Sequence, residues 1–107
     1  MDYILGKNPE GRSYMVGFGK NPPIQAHHRG ASMSKLSPNE EIDCPTSFAK
    51  WLHIDAPNPH ELTGAIVDGP DINDNINDNR TDSHKTEPCT YVNSLAAGAL
   101  AKLVSLG

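Results

Sequence analysis

Glu87 is the side chain best placed for proton chemistry. It closes a polar, acidic stretch, starting at Asp71, that is almost free of apolar residues before Tyr91. Directly beyond it, apolar residues recur at helical spacing. A carboxylic acid held where an acidic loop turns into a helix, with Asp71, Asp74, Asp78 and Asp82 nearby in sequence, is a reasonable proton donor or acceptor. The Asp/Asn alternation also sets Asp71, Asn73, Asn75, Asn77, Asn79 and Asp82 at the ligand positions of an EF-hand-like calcium register. Ile76 stands where that loop needs glycine, Asp82 where it needs glutamate, and no helix precedes it, so a solvated, turn-rich loop is the better reading. His27-His28-Arg29 is the second chemical cluster. Adjacent histidines point apart and no spaced third ligand follows, so zinc is disfavoured. Taken by themselves these residues read as a solvated basic turn, or as Arg29 paired with a loop carboxylate.

The strongest positioning element is C-terminal. Val92, Leu95, Ala96, Ala99, Leu100, Leu103 and Val104 share one face of a helix expected from about Glu87 or Pro88 to Leu106, with that face buried. Thr86 is its candidate N-cap, Pro88 suits the first turn, and Gly107 is a natural stop. A shorter helix is expected over residues 46–54, capped by Thr46, with Phe48, Trp51 and Leu52 on one face and Ala56-Pro57-Asn58-Pro59 breaking it. Trp51 could stack on a sugar, but a tryptophan in an apolar triplet more often packs. Residues 30–44 read as loop, and residues 62–67 as a strand-like or buried segment. Asp2-Tyr3-Ile4-Leu5-Gly6 reads as the last turn of a helix, with Gly6 as C-cap and Asn8-Pro9 forbidding continuation. A helix entered at its last turn suggests a truncated chain. Gly17-Phe18-Gly19 is no dinucleotide fingerprint, because Pro22 replaces the third glycine. Irregular structure should fill more than half of the chain, with no sheet of four strands.

Asp78, Arg80, Glu87, Pro88, Thr90 and Asn93, led by Gly69-Pro70-Asp71 and Asn73-Asp74, together resemble a signature of glycoside hydrolase family 9, and most closely that of plant endo-1,4-β-glucanases. Residues 13–29, ending His27-His28-Arg29, are similar to a second signature, and Asp2 to Pro9 resembles a string deep in the same domain. The chain departs from the usual pattern at Ile76 and Ser83, where the family carries aromatics, at Asp68, where glycine is usual, and at Ala26, where a larger aliphatic or proline is usual. The resemblance implies an all-α fold: residues 1–107 would be the C-terminal part of an (α/α)6 barrel, incomplete, loop-rich, and ending in one long helix. It implies Glu87 as general acid, Asp78 and His27 as further active-site residues, and Arg29 bound to sugar. A planar guanidinium and an imidazole suit vicinal hydroxyls. The implied reaction is inverting hydrolysis of internal β-1,4-glucosidic bonds. The family's base lies in an Asp-Ala-Gly-Asp-type motif that this chain lacks, so the chain alone is expected to be inactive. A non-catalytic truncated product is the alternative. The implied setting is extracellular or the cell wall, the partner a β-1,4-glucan, and no metal or other cofactor is implied.

Composition agrees with a thin, loop-rich fold. The 107 residues include nine glycines and nine prolines, with 36% apolar and 6% aromatic residues. One domain at most is expected. Six aromatics make a poor case for a flat cellulose-binding row. A net charge of −4 gives no electrostatic case for nucleic acid or an anionic membrane. No apolar run reaches transmembrane length, and the N-terminus lacks the basic-then-apolar pattern of a signal peptide. Cys44 and Cys89 are too few for a disulfide framework and are expected to be free or separately buried. Asn79-Arg80-Thr81 is a glycosylation sequon beside Asp78, expected to be unused or to have its side chain buried.

Overall fold

A computed structural model describes residues 1–107. The chain forms four α-helices, α1 (Arg29–Ser32), α2 (Cys44–Ser47), α3 (Ser83–Thr86) and α4 (Thr90–Leu106), and α2 continues as a π-helical turn over Phe48–Leu52. There is no sheet. Met15 pairs with Ile66 and Val67 with Pro88, each as an isolated antiparallel bridge. Most of the chain is therefore loop, as the glycine and proline content requires.

The core sits where those bridges meet. Tyr14, Val16, Ala26 and Val67 are buried together, and Ile4, Leu62, Ala65 and Ile76 pack around them. Val16 N–H donates to the Ala65 carbonyl at 2.8 Å, and Val67 N–H to the Tyr14 carbonyl at 3.1 Å. Ile76, an aliphatic side chain where the family carries an aromatic, still turns toward this core.

The N-terminal turn closes as its sequence demands. Gly6 has φ +126°, Lys7 N–H donates to Asp2 O at 2.9 Å, and Gly6 N–H to Tyr3 O at 3.3 Å. That bond pair has the hydrogen-bond pattern of a Schellman closure, here on a turn and not on a helix, and glycine takes the positive φ without a Cβ penalty.

Helix α4 starts later than its periodicity suggests. Glu87 and Pro88 are outside it, and its N-cap is Cys89, with no side-chain cap bond. Two effects displace the start. A residue before proline is driven out of the α region, and Glu87 is extended at φ −79°, ψ 124°. The Glu87 and Lys85 carbonyls also accept the Asp68 and Gly69 N–H groups, at 3.0 and 2.9 Å. Thr86, expected to cap α4, instead ends α3 fully buried, its Oγ1 donating to the carbonyls of Asp82 (2.9 Å) and Asn79 (3.2 Å). The expected burial of α4 also fails. Ala96 alone is buried, while Leu95 and Val104 are 76% and 79% exposed.

The middle helix is shifted too. Asp43, not Thr46, is its cap, with Oδ1 accepting Thr46 N–H at 2.7 Å, and the element ends at Leu52. Trp51 is buried, but Phe48 is half exposed. Within the segment expected to be loop, α1 forms because His28 Nδ1 accepts Ala31 N–H at 3.1 Å and so caps it.

Candidate active site

Two segments distant in sequence, residues 24–29 and 78–86, are stitched together around His27. The Asp78 carboxylate accepts the N–H groups of Ile24 (2.8 Å) and Gln25 (3.2 Å). His27 N–H donates to the Thr86 carbonyl at 2.9 Å, one residue before Glu87. His27 Nδ1 lies 2.7 Å from the Arg80 carbonyl. The acidic loop and the His27-His28-Arg29 turn are thus one local structure. Asp78 serves here by fixing the backbone that leads into His27.

Arg80 holds this arrangement from beneath. It is 2% exposed. Its Nε donates to Asn58 Oδ1 (2.7 Å), Nη1 to the carbonyls of Trp51 (3.1 Å) and Ile54 (2.7 Å), and Nη2 to that of Ala56 (2.8 Å). Burial pulls its pKa down, while the charges of Asp78 and Asp55 oppose that shift. No carboxylate pairs with it directly: the ion pairs of the chain are Arg12–Glu10, Lys50–Glu40, Lys85–Asp71 and Lys85–Asp82. A buried cation is tolerable because its fork is filled by neutral oxygens. Arg80 is part of the motif in the sequence, but its structural weight was not legible there. The available signal was an arginine inside an otherwise acidic loop.

His27, His28 and Arg29 line a cavity of about 110 Å³ with Ser32, Ser47 and Phe48. Arg29 is exposed, with Nη2 donating only to Cys44 Sγ at 3.5 Å, so the expected alternative of a carboxylate partner is absent. Glu87 is exposed and sits in the extended link between α3 and α4. Ligand atoms of Asp68, Glu87 and Cys89 all lie within 4.8 Å of one another. Burial first, then the charges of Asp68 and Glu87, push the Cys89 thiol up. Asp68's charge, ahead of that of Cys89, does the same to the Tyr91 hydroxyl. Asp68 and Glu87 are thus neighbouring acidic groups beside Cys89. Asp68, which stands at the family's usual glycine, is the acidic neighbour that the reading of the 71–82 loop overlooked.

The calcium register resolves into a self-bonded turn. Asp71 Oδ1 accepts Asn73 and Asn75 N–H at 2.9 and 3.0 Å. Asn79 Oδ1 accepts the N–H and hydroxyl of Thr81 at 2.9 and 2.7 Å, and the Asn79 side chain is half-buried. Trp51 is packing, not a platform: its Nε1 donates to Ser34 Oγ at 3.2 Å and its ring is covered. Both cysteines are free, but Cys44 is exposed, where burial was one expectation.

The fold, with its stitched loops, has counterparts among solved endoglucanases. The endoglucanase of the termite Nasutitermes takasagoensis superposes with a TM-score of 0.79 at 42% identity, over 99% of this chain and 22% of that one. The endoglucanase CelQ of Clostridium thermocellum, solved with cellobiose and cellotriose, gives 0.76 at 39% identity over 95% of this chain and 15% of its own. Endoglucanase 16 of Arabidopsis thaliana is 60% identical across 98% of this chain. Residues 1–100 match glycosyl hydrolase family 9, and the chain belongs to that family. It spans about a fifth of the length of the curated relatives it matches.

Proposed function

We infer that this chain forms the acid-bearing, C-terminal portion of the (α/α)6 barrel of an endo-1,4-β-glucanase acting on extracellular β-1,4-glucan. The observation that carries this reading is the stitch at His27, whose main chain and ring bond to Thr86 and Arg80. It supports a shared surface for His27, Arg29 and Glu87. In the proposed reaction Glu87 gives its proton to the glycosidic oxygen as the bond breaks. A carboxylate elsewhere in the longer polypeptide activates water on the opposite face, with the two carboxyls about 6.5–9.5 Å apart as inversion requires. His27 and Arg29 hold sugar hydroxyls, and Asp78 fixes the segment that carries them. Asp68 is the acidic side chain next to Glu87, the two carboxylates and Cys89 having ligand atoms within 4.8 Å of one another.

The test is a chimaera in which residues 1–107 replace the matching segment of the Arabidopsis relative. It should hydrolyse carboxymethylcellulose, and Glu87→Gln should lower kcat by about 10²–10⁴-fold. Full activity in that variant overturns the acid assignment. The isolated chain should be inactive. Turnover by it, lost in Glu87→Gln, would place a base within these residues.

A further inference from the structure

We propose that Arg80 is a positioning residue that acts through His27, fixing the imidazole as its Nδ1–H tautomer so that Nε2 enters the sugar cavity as a hydrogen-bond acceptor. The inference rests on the reading of His27 as a sugar contact for its consequence, but not for its geometry.

A carbonyl oxygen can only accept. The 2.7 Å contact between His27 Nδ1 and the Arg80 carbonyl therefore places a proton on Nδ1. In neutral imidazole the other nitrogen then carries the lone pair. Nε2 is the ring nitrogen left to the cavity that His27 lines with Arg29 and Ser32. There it accepts from a hydroxyl, while the Arg29 guanidinium donates to one. The two groups select a ligand with a donor and an acceptor on neighbouring carbons, which is what a vicinal diol offers.

The position of that carbonyl is set by its own side chain. Four strong bonds from one guanidinium tie residue 80 to Asn58 and to the carbonyls of Trp51, Ile54 and Ala56. Asn58 Nδ2 in turn donates to the Ala26 carbonyl at 3.0 Å, so the residue before His27 is held by the same cluster. The His27 main chain is fixed separately, by its N–H to the Thr86 carbonyl. Arg80 therefore controls the ring through Nδ1, and Thr86 controls the backbone. Lysine keeps the charge, but it lacks the planar fork and cannot gather carbonyls in four directions.

The experiment reads the ring directly. Long-range ¹H–¹⁵N correlation spectra of the 107-residue chain at neutral pH should show His27 as the Nδ1–H tautomer. A predominant Nε2–H tautomer overturns the proposal. Arg80→Lys should convert His27 to a mixture while the amide signals of the N-terminal turn, residues 2–7, keep their positions. An unchanged His27 in Arg80→Lys also overturns it. If Arg80→Lys unfolds the chain, Asn58→Leu, which removes the Nε partner together with the bond to the Ala26 carbonyl but leaves the three carbonyl partners of Arg80, should give a smaller shift toward the mixture, and no shift there counts as refutation. In the chimaera, Arg80→Lys should cut kcat/KM about tenfold in the parent and less than twofold in a His27→Ala background, because coupled residues are non-additive. Equal losses in both backgrounds would make Arg80 purely structural. Failure of the glucanase reading would silence the kinetic arm and leave the tautomer result standing.

Discussion

Residues 13–88 and helix α4 divide regularity and packing in opposite ways. The first region has little repeating structure, yet it holds the core and nearly every long-range side-chain bond, including those of Arg80, Asp78 and Asn58. The second is a regular helix of 17 residues, yet it buries one side chain and bonds to the body mainly through Asn93. Asn93 Oδ1 accepts Ile66 N–H at 3.0 Å and its Nδ2 donates to the Ile66 carbonyl at 3.3 Å. Backbone regularity and tertiary stability are therefore separate properties in this chain. Loops become rigid where polar side chains satisfy their backbone groups. A helix with its apolar stripe in water gains little from being a helix. The radius of gyration of 15.2 Å exceeds the about 13 Å of a compact domain this size, as a helix leaving the body should make it.

Removing the centre of the loop region is the most severe way to break the contrast. Arg80→Met should cost about 3–5 kcal/mol, because it leaves several buried oxygens without donors. Urea unfolding followed by Trp51 fluorescence measures this, since the Trp51 carbonyl is among those oxygens. A loss below about 1 kcal/mol would mean that water replaces the guanidinium. Val67→Ala comes next, at about 2 kcal/mol, since Val67 is fully buried at the junction of both bridges. The same titration reads it.

Acid should act on the loop region with a smaller effect. Backbone N–H bonds from Asn75 and then Asn73, followed by the charge of Lys85, hold the Asp71 carboxyl below the usual carboxylate range. The Asp43 carboxyl is lowered too, by the Thr46 side chain first and its backbone N–H second. A folded pKa below the unfolded one gives stabilisation that is complete above the unfolded value, about pH 4, and lost as pH falls through the folded value. Amide signals of residues 73 and 75 should move as pH drops below 4, before the core signals of Val67 change. Simultaneous loss of both would show that the loop has no separate acid transition.

The contrast also explains what sequence could reveal. Periodicity is a local signal, and it located α4 correctly apart from its first residues. It could not reveal that α4 stays bare, because burial depends on what lies opposite the stripe. The start was misplaced because the Val67–Pro88 bridge is non-local. Glu87 could be singled out from its place in the sequence, whereas His27, Arg29 and Asp78 were singled out only through the family resemblance. The roles of Arg80 and of the His28 cap were not legible, because both depend on carbonyl and amide positions that no side-chain pattern encodes. Gly6 was readable for the opposite reason: a chain turn that needs a positive φ writes that need into one residue, although the turn belongs to no helix here.

The smallest expected effect sharpens the comparison most. Leu95→Ala and Leu103→Ala should each change the stability of the isolated chain by no more than about 0.5–1 kcal/mol, because Leu95 lies largely in water and Leu103 is half exposed. Tyr3 and Met1 reach α4 only across a shallow groove beside Ala99 and Leu103. Such a groove buries too little apolar surface to resist truncation. In the chimaera, where the rest of the family polypeptide surrounds the segment, the same substitutions should cost about 2–5 kcal/mol each, the range for a buried leucine. Thermal unfolding of both forms gives the two numbers side by side. Equal small losses would mean that the stripe of α4 stays in water even there, and that the helix belongs to the surface of the full domain. Equal large losses would mean that the isolated chain already buries the stripe, by associating with itself, which dilution would reverse.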